Sequence, residues 1–222
     1  MTGPLEARSV EPTGASPRGT LLLLHGYGSN RDDLLGLAPH LSFMRLVAAN
    51  GPIDLDPPSP EKPLRMKSYA WFDFEGEKLR PIVDSVATSV NAVLDLAYSL
   101  KERFPGPFFL GGFSQGGLMT YACGLKEPRL FNGLIVMSGW WPPADPDWPA
   151  AEDALQGLPI LAVHGTHDDR VPFALGQAAA EEAKKLGADV TFLSFSMMHE
   201  VTAESIAAVA GWLDEHCPPK ST

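Results

Sequence analysis

The sequence predicts an α/β protein: a mostly parallel, doubly wound sheet with helices on both faces and no cap domain. Three observations carry this. Short apolar runs suited to strands buried on both faces alternate with helical patterns of roughly 10–20 residues along nearly the whole chain. Of the 222 residues, 45% are hydrophobic and 20% charged, ordinary values for a chain that closes a core. The 21 glycines and 21 prolines stay below the range that marks low-complexity disorder, and several of them, such as Gly19, Gly26 and Pro105-Gly106-Pro107, bound these runs.

Taken in order, Thr20 to His25 is an apolar run bounded by Gly19 and Gly26, a buried strand. Asn30 offers an N-cap with Asp33 three residues on, so Asp33 to Leu41 reads as a helix. Arg45 to Ala49 returns as a strand. Pro52, Pro57, Pro58, Pro60 and Pro63 then force an irregular loop, because proline supplies no N–H to a helix or ladder. The clearest helix is Ile82 to Arg103, where Val86, Val90, Val93, Leu94, Ala97 and Leu100 form one stripe at three- and four-residue spacing. Phe104-Pro105-Gly106-Pro107 stops it. Phe108 to Gly111 is a strand, Gly116 to Leu125 a helix, and Leu134 to Ser138 a strand. Pro142 to Pro149 is a second irregular loop that carries Trp148, just after Trp140 and Trp141. Ile160 to His164 and Val190 to Phe195 are strands flanking a helix from Phe173 to Leu186, and Thr202 to His216 is the last helix.

Residues 19–217 thus form one domain. Residues 1–18 precede it as an edge strand or an unstructured lead, and 218–222 form a tail. Seventeen Lys and Arg against 27 Asp and Glu give a net charge of −10, which argues against nucleic acid and against stable association with an anionic membrane. The longest aliphatic run, Leu21 to Leu24, is far too short to span a bilayer. Met1 to Gly19 has no basic region followed by an apolar stretch, so no secretory signal is visible. Cys123 and Cys217 are too few for a disulfide framework, which makes a reduced, cytoplasmic protein the expectation. The composition leaves a homodimer open.

In such sheets ligands bind beyond the carboxyl ends of the strands, so the chemistry belongs in the loops after His25, Gly111, His164 and Phe195. Gly112-Phe113-Ser114-Gln115-Gly116 fits the nucleophile-elbow pattern G-x-S-x-G. Alone the pattern is weak. Here it directly follows a strand and directly precedes a helix, which is its required context. A serine hydroxyl needs a base, and in this fold the order is serine, acid, histidine. Among histidines after Ser114, His216 sits in the last helix and His164 precedes the best acids. His199, in the loop Ser196-Met197-Met198-His199, is the best base. Asp168 and Asp169, after the strand that ends at His164, are adjacent acid candidates that spacing does not separate. A zinc reading of His164, His167 and Asp168 lacks a third well-spaced ligand. The tetrahedral intermediate needs two backbone N–H donors. One belongs to Gln115, after the nucleophile, and the other to the loop His25-Gly26-Tyr27-Gly28.

With these residues in hand, the sequence resembles the phospholipase/carboxylesterase family of α/β-hydrolases, which contains acyl-protein thioesterases and small bacterial carboxylesterases. The resemblance runs from Leu21 to about Trp212. It rests on Leu24-His25-Gly26-Tyr27-Gly28, Trp71-Phe72-Asp73, Gly112-Phe113-Ser114-Gln115-Gly116-Gly117, His164-Gly165-Thr166-His167-Asp168 with Val171-Pro172, and Met198-His199. It implies an α/β-hydrolase fold, Ser114 as nucleophile, Asp168 as acid, His199 as base, and the N–H groups of Tyr27 and Gln115 as oxyanion hole. The family often has leucine and aspartate where Tyr27 and Ser29 stand, and glycine where Ser196 stands. These departures are expected at the site entrance, where they bear on substrate preference.

The expected function is hydrolysis of carboxylic esters of short to medium acyl length through an acyl-enzyme on Ser114, without cofactor or metal. The alternatives are a protein S-acyl thioesterase or lysophospholipase, and a non-catalytic binding protein on the same fold. A dienelactone-type hydrolase is disfavoured because position 114 is serine, not cysteine. The aromatics of the two irregular loops, Trp71, Phe72 and Phe74 in one and Trp140 at the head of the other, are expected to wall a compact acyl pocket, with Val171 and Met198 added to that lining.

Overall fold

The computed structural model describes residues 3–12, 16–56, 67–76, 80–145 and 153–219. The prolines expected in loops at 57, 58, 60 and 63, Trp148, and residues 220–222 of the tail lie outside them.

Nine strands and four α-helices are described: β1 (Ala7–Val10), β2 (Gly19–Leu24), β3 (Met44–Ala49), β4 (Ile53–Asp54), β5 (Tyr69–Ala70), α1 (Val83–Arg103), β6 (Phe108–Phe113), α2 (Gln115–Lys126), β7 (Gly133–Met137), β8 (Pro159–Gly165), α3 (Phe173–Lys185), β9 (Asp189–Phe195) and α4 (Ala203–His216). Seven strands form one sheet in the order β1-β3-β2-β6-β7-β8-β9. Every neighbouring pair is parallel except β1 with β3, which is antiparallel. Strands β4 and β5 make a small separate ladder.

Alternation along the buried strands divides the core in two. Leu22 and Leu24 of β2 pack with the stripe of α1 and with Leu118, Met119 and Ala122 of α2. Leu21 and Leu23 pack on the opposite face with Val209, Trp212 and Leu213 of α4. All six residues of β2 are buried, as a central parallel strand covered by helices on both sides must be. The stripe expected on α1 is buried as a unit, with Ser89 in the same row. Cys217, just past α4, packs against Gly19 at the amino end of β2, and Arg18 pairs with Asp214 there.

One helix differs from expectation. The helix expected over Asp33 to Leu41 is only a 3-10 turn, Leu34–Leu37. Asn30 spends its side-chain oxygen on the N–H of Asp32, closing a local turn, while Gly36 and Pro39 weaken any longer helix. Within residues 1–18, Ala7–Val10 forms the antiparallel edge strand, extended by the Asn50 N–H bond to the Glu6 carbonyl at 2.9 Å.

Candidate active site

Strand β6 runs into α2 through a single residue, Ser114, whose backbone takes φ 56° and ψ −115°. For a residue with a Cβ this is a strained conformation, costing about 1–3 kcal/mol. The surroundings enforce it. Ser114 N–H donates to the Met137 carbonyl at 2.8 Å, and the Ser114 carbonyl accepts from Gly117 and Leu118 at 2.9 and 3.2 Å. The two glycines of the motif have separate reasons to lack a side chain. A Cβ on Gly112 would lie 2.2 Å from the Gly116 carbonyl oxygen, and one on Gly116 would lie 2.0 Å from that of Leu24. The turn can therefore close on itself and seat α2 on the end of β2 only without those methyl groups.

The two partners of Ser114 come from the ends of β8 and β9. His199 Nε2 lies 2.8 Å from Ser114 Oγ, and His199 Nδ1 lies 2.7 Å from Asp168 Oδ2. An ionised carboxylate only accepts, so Nδ1 carries the ring proton and Nε2 is free to accept from the serine hydroxyl. The Phe113 ring lies 4.8 Å from the His199 ring, centroid to centroid, and limits its tilt. Asp168 is held by its other oxygen, which accepts from the N–H groups of Arg170 and Val171 at 2.9 and 2.8 Å. Its carboxylate is buried, whereas the neighbouring Asp169 is exposed and lines the cavity mouth. The backbone turn thus separates two aspartates that spacing could not.

His164 is a third partner of this region but not a base for Ser114. Its Nε2 donates to the Val171 carbonyl at 2.9 Å and lies 3.4 Å from Asp168 Oδ2. Burial holds its pKa below the usual histidine value, so the ring stays neutral beside the carboxylate. His167 turns away to Thr166, with 3.0 Å between Nδ1 and Oγ1. Among the described residues no group of three or more His, Cys, Asp or Glu is placed to hold a metal.

The loop after β2 meets the nucleophile from the other side. A Cβ on Gly26 would lie 3.5 Å from Ser114 Cβ, so this backbone passes directly beside the serine. Buried His25 fixes its path. The ring accepts from Gly51 N–H through Nε2 at 3.0 Å and donates through Nδ1 to the Gly26 carbonyl at 2.7 Å. Ser29 N–H also reaches that carbonyl, at 3.2 Å. In a trans peptide the N–H opposes the C=O, so anchoring the Gly26 carbonyl aims the Tyr27 N–H the opposite way. The second donor position, Gln115 N–H, is the first of α2, where helix geometry provides no internal partner. Among the described residues neither N–H donates to a protein acceptor.

Ser114 and His199 open onto a cavity of about 600 Å³ lined by Tyr27, Phe74, Trp140, Val171 and Met198, with Asp169, Arg170 and Glu200 at its polar side. Trp140, Val171 and Met198 thus stand where the sequence suggested. Trp71 and Phe72 do not. Both are fully buried and belong to the core, and it is Phe74, two residues on, that reaches the cavity. The reason is tertiary: the Trp71-Phe72 backbone is bonded to Gln115 and Ser89 and drawn beneath the elbow. Of the three departures from the family pattern, Tyr27 lines the cavity, while Ser29 and Ser196 are not among its lining residues. Arg170 and Glu200 line the cavity without being among the pocket residues that the sequence predicts. Their only signal was adjacency to Asp168 and His199.

The family profile described as phospholipase/carboxylesterase matches residues 5–217. Acyl-protein thioesterase 1 of Gibberella zeae is 26% identical over 234 residues, covering 96% of each chain. Carboxylesterase SOBER1 of Arabidopsis thaliana is 27% identical over 205 residues, covering 87% of this chain and 88% of its own. The crystal structure of a carboxylesterase from Mesorhizobium loti superposes with a TM-score of 0.79 over 94% of each chain at 22% identity, which speaks for the fold. The elbow, the sheet order and a profile match that spans the domain lead to one conclusion: the chain belongs to the phospholipase/carboxylesterase family of α/β-hydrolases.

Proposed function

We propose that the protein is a serine carboxylesterase that cleaves small, water-dissolved esters of short to medium acyl length. The observation that carries the reading is the unbroken chain of hydrogen bonds from Ser114 Oγ through His199 to Asp168, at 2.8 and 2.7 Å. Ser114 attacks the ester carbonyl while His199 Nε2 takes its proton. The N–H groups of Tyr27 and Gln115 receive the developing oxyanion. His199 then returns the proton to the departing alcohol, and the same ring activates the water that frees the acid. Asp168 keeps the proton on Nδ1 and stabilises the imidazolium. Every group in this scheme is a side chain or backbone amide of the chain, so the reaction draws on no cofactor.

The cavity supports the acyl range. It is walled by Phe74, Trp140 and Met198, which bound the space beside Ser114, and open at the mouth. Each buried methylene adds about 0.8 kcal/mol only while space remains. Among the described residues no helix is long and apolar enough to cross a membrane. We take the enzyme to work in the cytoplasm, an assignment supported by two free cysteines, Cys123 and Cys217, both buried. A thioesterase reading draws support from the Gibberella zeae relative, and the two readings separate on long acyl chains.

The test is a panel of p-nitrophenyl esters from acetate to palmitate, with palmitoylated peptide alongside. The expected result is a maximum of kcat/KM at short to medium length with no surge above the micellar concentration. Ser114→Ala should lose about a million-fold in kcat. Efficiency that climbs through palmitate, or a variant that keeps a tenth of the activity, overturns the proposal.

A further inference from the structure

The Trp71-Phe72 pair, expected in the acyl pocket, is buried beneath the nucleophile elbow, and its hydrogen bonds give it a different task. The Trp71 indole Nε1–H donates to the His25 carbonyl at 2.9 Å. Its ring lies 5.2 Å from the His25 imidazole, centroid to centroid. The Trp71 backbone N–H donates to Gln115 Oε1 at 2.8 Å, and Gln115 Nε2 donates to the Phe72 carbonyl at 2.7 Å. Ser89 Oγ–H, from the buried row of α1, closes on the Trp71 carbonyl. Residues 71 and 72 therefore touch both segments that supply the oxyanion donors. On one side they hold the peptide preceding Gly26 and Tyr27. On the other they hold the side chain of Gln115, whose own N–H is the second donor.

We propose that Trp71, acting together with the side-chain amide of Gln115, is a positioning residue that sets the spacing between the two oxyanion N–H groups. These donors come from separate turns, 88 residues apart in sequence, and among the described residues no loop backbone hydrogen bond joins the turn at 26–28 to the turn at 114–117. The bracket spans that gap. It is buried throughout: Trp71, Phe72 and Gln115 are all fully shielded from solvent. Inside a low-dielectric interior each of its hydrogen bonds is costly to leave unmade, so the arrangement resists sliding. An oxyanion donor stabilises charge only near 2.7–3.1 Å, which makes a small displacement expensive in rate. Trp71 is not among the cavity walls, and the side-chain amide of Gln115, a residue that borders the cavity, is committed to residues 71 and 72.

The inference rests on the esterase reading above, and the experiment keeps the two apart. Trp71→Phe retains a buried aromatic ring and removes the indole N–H. Gln115→Met retains a long side chain and removes both amide bonds, and serves as the second variant if the first is poorly folded. Active sites are counted by end-point labelling with a fluorophosphonate, so that misfolded protein is excluded. The expected result is a fall in kcat per labelled site of about tenfold or more, with KM for p-nitrophenyl butyrate within about threefold of wild type. Affinity for a butyl trifluoromethyl ketone, whose serine adduct carries the oxyanion, should weaken in step with kcat/KM. Unchanged kcat per site and unchanged ketone affinity, with only a lower unfolding temperature or fewer labelled sites, would mean that the bracket is ordinary packing and would overturn the inference alone. Wild-type protein that hydrolyses no ester and takes no label would overturn the esterase reading, and the inference with it.

Discussion

Replacing Asp168 by asparagine preserves its shape but puts an NH₂ group where an acceptor is needed, because one oxygen is committed to the N–H groups of Arg170 and Val171. The His199 ring would then be driven to the other tautomer, with a loss in kcat of about 10⁴. Asp169→Asn, at the exposed mouth, should cost far less, and steady-state kinetics of the two variants side by side checks this. Equal losses would contradict the geometry. Two buried histidines make a second prediction at this scale. Burial lowers the pKa of both His25 and His164 from 6.5, so the folded chain binds their protons less readily than the unfolded chain does. Above 6.5 both states are neutral at these positions and nothing is lost. As pH falls below 6.5 the unfolded chain takes up protons first, and stability declines until the folded-state values are passed. The urea midpoint should therefore drop between pH 7.5 and 5.5, and His164→Asn should flatten part of that drop. Ser114 and His199 were legible because an elbow has a local signature and the chain order of its partners is fixed, while Asp168 was set apart from Asp169 only by the family resemblance. The fate of Trp71 and Phe72 was not legible. It depends on Gln115, more than forty residues away, and aromatic composition in a loop looks the same whether the rings face a cavity or a core.

Among the elements, β1 shows how little local sequence decides an edge strand. Ala7-Arg8-Ser9-Val10 has no apolar alternation, and three of its four residues are exposed. It is a strand because β3 offers an open ladder, with Ala7 opposite Ala49 and Val10 opposite Leu46. Ion pairs Arg8–Asp32 and Arg45–Glu11 flank it, but pairs this exposed contribute at most about 1 kcal/mol each. Its larger service is to cap a parallel edge. Deleting residues 1–11 should leave β3 with a row of unpaired N–H and C=O groups, the usual template for association with another chain. The expected outcome is a concentration-dependent shift to larger species in size-exclusion chromatography, together with a lower urea midpoint. A truncated protein that stays at the parent's elution volume with unchanged stability would count against this role. The long helix α1 is the opposite case. Its stripe of seven buried residues is written in three- and four-residue spacing and needs no partner to be recognised.

At the scale of the whole molecule, the alternation of strands and helices was enough to predict a parallel sheet, yet strand order is not contained in local pattern. It emerges from crossovers that place β2 between β3 and β6. Parallel strands have a direction, and this one-way sheet sorts its two ends by task. Ser114, Asp168 and His199 follow the carboxyl ends of β6, β8 and β9, and the cavity opens there. Cys217, by contrast, packs on Gly19, where β2 begins. The six residues of β2 separate these ends by roughly 20 Å at about 3.3 Å per residue. A linker continued from Cys217 therefore departs from the back of the molecule. Fastened through it to a bead, an electrode or a fused partner, the enzyme would face its mouth toward the bulk solution, and substrate would reach Ser114 as freely as in the untethered state.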